Sequence, residues 1–414
     1  MVPEVIVAGH LCADLFPSFP PDGKNPEPGQ TAEVGPAGLW PGGAVANVGG
    51  ALRRLGIAAE LIGLVGDDAL GDLVTVLLSR HAGRPLPGIR VAPGETTSYT
   101  LILARPGQDR AFLHHLGANH KFHPAEIDPA LLREGRIVHF GYPPLLPRVY
   151  QDGGRRLAEW FESLRERGFL TSLDLAFPDP AAESGRADWR AFLERVLPHV
   201  DLFFPSRGEL EFMLRELPGL RKTRQLEMPA GLEHLSTLAR WALDSGVRLF
   251  ALKLGSQGIY LRTAPTEALP ANLRLKLDSC WGNREAWAPA FQVSPMGTTG
   301  AGDAAVAGLL AGLLRGSSPE ETIDLATAVA ACSVEATDPT SGILSVAETI
   351  RRVKEGWARA PVRNCTWHQD RSSGIFLGPR DARFRPYDCS GDGGRVKPAD
   401  PSIHLGPVSG THVS

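Results

Sequence analysis

The chain has 414 residues, with 43 Lys and Arg against 46 Asp and Glu, a net charge of -3, 43% hydrophobic residues and 21% charged ones. This balance supplies no broad cationic field for a phosphate backbone, so nucleic acid is excluded as the main partner and small molecules are favoured. Five scattered cysteines, Cys12, Cys280, Cys332, Cys365 and Cys389, contain no C-x-x-C pair, which argues against a disulfide framework or structural zinc and fits a reducing cytoplasm.

Residues 5–9 are a short apolar run that reads as a first strand, with neither the basic start nor the apolar length of a signal peptide. Asp14 closes the loop after it, where a carboxylate can take two neighbouring hydroxyls or simply make a turn. Residues 14–40 are rich in Pro and Gly. They lead through Trp40 to Gly42-Gly43-Ala44-Val45-Ala46-Asn47. The two glycines open a helix and put Asn47 one turn in, where its amide can donate to and accept from a polyhydroxylated ligand; a glycine-capped packing helix is the alternative. Residues 60–66 read as a strand. Residues 96–115 form a hairpin signal with a Pro-Gly-Gln-Asp turn, along which Ser98, Tyr99, His114 and His115 alternate, so that one set faces a ligand and the other solvent or a partner. Further strands are expected at 136–141, 169–174, 200–205 and 247–254, separated by stretches with helical apolar spacing such as Leu157, Phe161 and Leu164. Such alternation predicts βαβ units and a mostly parallel sheet, with chemistry in the loops beyond the strand ends; His139, Tyr142 and Asp174 stand there.

The densest signal comes late, at Gly297-Thr298-Thr299-Gly300-Ala301-Gly302-Asp303, followed by an apolar helical stretch at 304–314. That stretch is about half a membrane span and reads as a buried helix. Small residues opening a helix leave N-H groups pointing outward at the positive end of the dipole, an anion site suited to phosphate. Asp303 in the same turn can accept a proton from a hydroxyl while the amides of Ala301, Gly302 and Asp303 hold the charge on a transferring phosphoryl group. A second helix starts near Ser318, with Pro319 at its first turn and Glu321 spaced for a capping box. Residues 264–290 are a polar insertion. From about 360 onward Gly, Pro, Ser, Asp and Arg dominate, and the last twenty-five or so residues read as a loose tail.

Taken together, Gly9-x-x-x-x-Asp14, Gly42-Gly43-x-x-x-Asn47 and Thr299-Gly300-Ala301-Gly302-Asp303 resemble, in order and spacing, the PfkB (ribokinase-like) carbohydrate kinase family. The likeness runs over about residues 4 to 350 and includes Gly63-Leu64-Val65-Gly66-Asp67-Asp68, Gly117-Ala118-Asn119 and Leu252-Lys253-Leu254-Gly255-Ser256-Gln257-Gly258. It implies a three-layer α/β/α core over 1–355, carrying a small β lid from segments 14–40 and 94–117, with 356–414 as an extension. The implied reaction moves the γ-phosphoryl group of ATP to a hydroxyl of a sugar or polyol. Asp303 would be the base, and Gly300, Ala301 and Gly302 the anion hole. Asp14, Gly42, Gly43 and Asn47, with Tyr99 and His114 of the lid, would hold the acceptor. Ser206, Lys253, Gly255, Gly258, Thr298 and Thr327 would serve the nucleotide, and Glu209 the Mg²⁺ shell.

Two positions depart from the family pattern. Gly297 stands where an Asp usually helps hold an activating monovalent cation, and Ser206 replaces the Asn of an Asn-x-x-Glu motif. A nucleoside kinase with a base slot from Trp40, Phe16 and Tyr99 is the alternative within the fold, and a sugar or nucleotide sensor is the alternative outside catalysis. The family habit of pairing lid edges implies a homodimer.

Overall fold

The first strand shows how the side chains are sorted. All five residues of β1 (Val5–Gly9) are buried. Val5 and Val7 join one apolar cluster and Ile6 and Ala8 another, as the two-residue period of a strand covered on both faces requires. The structure is a computed structural model describing residues 3–19, 28–82, 86–104, 110–132, 135–215, 232–269, 279–362 and 365–384. All of these fall within a unit spanning residues 1–384. The expected tail lies outside the described residues.

In the main sheet, β4 (Ala59–Gly66) and β8 (Ile137–Gly141) flank β1, with β5 (Ile89–Ala92) beyond β4 and β9 (Leu170–Asp174), β10 (Leu202–Phe203) and β11 (Leu249–Lys253) beyond β8. These seven are parallel throughout. Past β11 the direction alternates through β12 (Ile259–Thr263), β13 (Glu285–Ala288), β15 (Phe376–Leu377) and β14 (His368–Gln369). The helices Gly43–Arg54, Ala69–Ala82, Ala301–Leu314 and Pro319–Val334 contribute to the cluster containing Val5, and Arg155–Glu166, Trp189–Val196 and Leu232–Asp244 to the one containing Ile6. The result is the three-layer α/β/α arrangement with a mostly parallel sheet that the alternation predicts.

Four strands stand apart from it. β2 (Cys12–Ser18), β3 (Gly35–Gly42), β6 (Tyr99–Leu103) and β7 (Ala111–His115) form a second sheet in the order β3-β2-β6-β7. This is the expected lid. Its register aligns Trp40, Asp14, Thr100 and His114 in one cross-strand row.

The segment set apart as an extension supplies β14 and β15 to the main sheet. Just past β15, Asp381 accepts from Nε of Arg284 at 2.9 Å and from the Glu285 amide at 2.9 Å. Arg284 is 1% exposed and also meets Glu320. A buried guanidinium needs carboxylate partners on this scale, because desolvating it alone costs several kcal/mol.

Candidate active site

The carboxyl ends of β1, β9, β10 and β11, the lid and the start of the Ala301–Leu314 helix enclose one cavity of about 1040 Å³. Its lid-side wall begins at Gly43, with Gly42 just before it. Gly43 has φ +82°, and a side chain there would strike His10, so the helix can start tight against the end of β1. The Val45 amide then donates to the His10 carbonyl at 3.1 Å. A Cβ at Gly42 would run into the Asp14 carboxylate. Asp14 is buried beside Cys12, whose Sγ donates to its Oδ1 at 3.2 Å, and burial pushes its pKa up to about 6.

Asp303 sits in the first turn of its helix, behind Gly300 in the left-handed region (φ 77°). Its Oδ2 accepts from Asn47 Nδ2 at 3.0 Å, and the Tyr142 hydroxyl lies 2.7 and 2.8 Å from its two oxygens. Burial holds its carboxyl above the ordinary value, opposed by Lys253 and by these two hydrogen bonds. Tyr142 adopts φ 66°, ψ 51°, rare for a residue with a side chain and a form of strain found at functional sites. Its ring stacks 6.0 Å from His10, which lies 5.1 Å from His114. Burial depresses both histidines, His10 well below its usual range and His114 to about 4, so both are neutral near pH 7. Among the described residues, His10 Nδ1, His114 Nε2 and Asn47 Oδ1 are buried without a hydrogen-bond partner.

At the other end of the cavity, Lys253 closes β11 and its Nζ lies 2.7 and 2.6 Å from the Asp174 oxygens. Ser206 and Glu209 form a reciprocal capping box: the Ser206 amide donates to Glu209 Oε2 at 2.8 Å and the Glu209 amide to Ser206 Oγ at 3.4 Å. The Ser-for-Asn exchange therefore keeps a helix cap. Gly255, Gly258, Thr298 and Thr327 also line the cavity. The Thr327 hydroxyl donates to the Ile323 carbonyl at 2.6 Å, leaving its lone pairs as the polar surface it can offer.

The structure thus brings together Asp14, Gly43, Asn47, His114, Ser206, Glu209, Lys253, Gly255, Gly258, Thr298, Gly300, Ala301, Gly302, Asp303 and Thr327 around one space. Gly42 stands directly behind Asp14. Tyr99 does not belong to that set: one residue before inward Thr100, it is 39% exposed and packs on His115 at 5.3 Å, on the outer face of the lid. The pairing of His114 with Thr100, at 3.0 Å between Nδ1 and Oγ1, fixes the phase of the hairpin. Trp40 and Phe16 pack edge to face on each other at 5.0 Å, and neither lines the cavity. His139 is buried against Ser172 and does not line the cavity. Among the lining residues that the sequence expectations missed are His10, Arg110 and Phe112. Arg110 Nη1 donates to Thr299 Oγ1 at 2.6 Å and ties the lid to the glycine loop. A lone His after a strand and an Arg beside a turn carry no sequence signal of their own.

Among the described residues no group of three or more His, Cys, Asp or Glu is placed to hold a metal, and no helix is long and apolar enough to cross a membrane. An ion bound with one protein carboxylate takes its other ligands from phosphate and water, which suits Mg²⁺; Glu209 fits that part.

Comparison with known proteins gives relatives and solved structures of the same fold. The chain is 28% identical over 328 residues to an ATP-dependent ribose-1-phosphate kinase of Halopiger xanaduensis, covering 79% of this chain and 90% of that protein. It is 27% identical over 290 residues to an uncharacterized sugar kinase of Archaeoglobus fulgidus, covering 69% and 94%. Arabidopsis thaliana ribokinase, solved with ribose and ATP, superposes with a TM-score of 0.63 at 19% identity, covering 86% of this chain and 99% of that one. A nucleoside kinase of Methanocaldococcus jannaschii superposes at 0.61 and 20% identity, covering 85% and 98%. The profile of the pfkB family carbohydrate kinases matches residues 4–345, and the chain belongs to that family.

Proposed function

We propose that the protein transfers the γ-phosphoryl group of ATP to a hydroxyl of a small sugar or polyol. The observation that carries this reading is the position of Asp303. Its carboxylate is shared with Asn47 and Tyr142 on the lid side, and its own helix mouth, with Gly302 and Lys253, opens on the nucleotide side of the same cavity. The names of the relatives, a ribose-1-phosphate kinase and fructokinases among them, support the substrate class.

The acceptor lies under the lid, its hydroxyls meeting Asp14, Asn47 and the unpartnered ring nitrogens of His10 and His114. Asp303 takes the proton of the reacting hydroxyl as its oxygen forms a bond to the γ-phosphorus. The bond from that phosphorus to the bridging oxygen of ADP breaks, and the first-turn amides behind Gly300 hold the charge on the moving group. Mg²⁺ accompanying the nucleotide, within reach of Glu209, would neutralise phosphate charge. The outward lid face, with Tyr99 and Leu113 39% and 57% exposed, is the surface we assign to a homodimer contact.

ADP release from Mg-ATP, measured over sugars, polyols, sugar acids and nucleosides, tests the reading. Turnover on a neutral sugar or polyol is expected. Turnover confined to nucleosides would move the acceptor class, and tight ligand binding without turnover would make the protein a sensor.

A further inference from the structure

Lys253 is placed differently from a purely structural ion pair. Its Nζ meets Asp174 at 2.6 and 2.7 Å, and Asp174 is fully buried. Yet Lys253 lines the cavity, and its Nζ is 3.5 Å from the position a Cβ would take at Gly302. The ammonium therefore lies against the first turn of the Ala301–Leu314 helix, where the dipole already favours an anion. Of its three N-H donors two serve Asp174, and the third has no partner among the described residues. Asp174, Glu209 and Asp303 all act electrostatically on it. Three carboxylates around a site that must receive a triphosphate would repel it unless a fixed cation stood among them. Burial works against that charge, but the three carboxylates outweigh it and raise the pKa of Lys253, so it stays protonated.

We propose that Lys253 is a catalytic residue whose ammonium contacts the transferring phosphoryl group, with Asp174 as the positioning residue that aims it. This rests on the kinase reading above. The lysine keeps its protons throughout. The acceptor's proton goes to Asp303, the new bond joins acceptor oxygen to phosphorus, and the electron pair of the broken bond leaves on ADP. An ammonium fixed at the helix mouth needs no reorganisation as charge moves onto the phosphoryl oxygens, which is where such groups are most effective.

The test compares wild type, K253M, K253R and the double variant K253M/D174L, using kcat and KM, thermal unfolding, and calorimetric binding of Mg-ADP. Replacing both members of a buried pair with apolar residues commonly leaves stability intact, so the double variant is the decisive one should K253M alone fail to fold. The expected result is a folded double variant with kcat down by about 10² to 10³, the usual effect of removing one oxyanion donor. Its Mg-ADP affinity should change by less than about threefold, because the lost contact is to the group that moves. K253R should recover at least part of the rate by restoring the charge. A folded double variant with kcat within about threefold of wild type overturns the proposal. Wild-type protein that phosphorylates no acceptor overturns the kinase reading itself, whereas wild-type turnover retained by the double variant overturns only the role of the lysine.

Discussion

Asp303 and Asp14 are both buried carboxyls whose pKa values are pushed up, but the proposed reaction gives them different work. Asp303→Asn keeps the shape and the hydrogen bond to Asn47 or Tyr142 while removing the proton acceptor. It should lower kcat by about 10² to 10⁴ with little change in nucleotide affinity, as measured by steady-state kinetics and calorimetry. Asp14 titrates near 6 in the folded protein against 3.8 for the free carboxyl. Because the folded value is raised, the protonated form is the one folding favours, and the stabilisation present below pH 4 is lost as pH rises through 6. Above that pH the ionised group costs about 3 kcal/mol. Asp14→Asn should therefore raise the unfolding temperature at pH 7 while weakening acceptor binding. In the wild type the acceptor KM should climb as pH falls below about 6, and the histidines, depressed by burial, should add no inflection there. A flat KM between pH 5 and 8 would remove Asp14 from the acceptor site. At Gly297 no carboxylate is available for a monovalent cation, and the Ala336 and Thr337 carbonyls crowd the place where a Cβ would stand. Rates in choline chloride should match those in potassium chloride within about twofold, a fold-change read directly from kcat/KM.

At the level of elements, sequence reading succeeded where one physical signal dominates. The parallel strands are runs of β-branched and apolar residues buried on both faces, and the glycine loops announce helix starts, so the core and the main motifs were readable. The lid hairpin was readable as a hairpin, but its phase was not. Alternation separates Tyr99 from Thr100, yet only the cross-strand bond of Thr100 to His114 says which set points inward. Ser206 and Glu209 were seen as a weakened metal motif and not as the capping box they form. Asp174 and Lys253, 79 residues apart, could not be paired without knowing that β9 and β11 flank β10. The lid carries its own prediction. Arg110→Ala removes the bond to Thr299 at the mouth of the site. It should leave thermal stability nearly unchanged, as a single partly buried hydrogen bond contributes about 1 kcal/mol net. Acceptor-dependent protection of residues 99–104 and 110–115 from hydrogen exchange should fall in this variant; protection equal to wild type would show that the lid closes without it.

For the whole molecule, the notable feature is how far the sheet extends. Its parallel half carries the site, and its antiparallel half ends in two-residue strands that composition alone would assign to a loop. Those strands are secured by charge as well as by packing. Asp381 reaches back to Arg284 and Glu285, Arg383 meets Glu320, and Arg380 bonds Ser236. Removing one partner of the buried Arg284 cluster should be costly, so Asp381→Ala is expected to lose about 3 to 5 kcal/mol in denaturant unfolding. Truncation after Phe384, where the compact unit ends, should leave both stability and turnover close to wild type.

The contact between Gly42 and the Asp14 carboxylate limits how this family member can diversify. With no room for even a methyl group at position 42, any new side chain there must evict the acidic group from its place in the row with Thr100 and His114. A library randomised at both positions should return Asp14 only in company with Gly42. Under the proposed function, altered acceptor preference is expected at Ile102, Phe112 or His114, where the inner lid face can change shape without displacing the carboxylate.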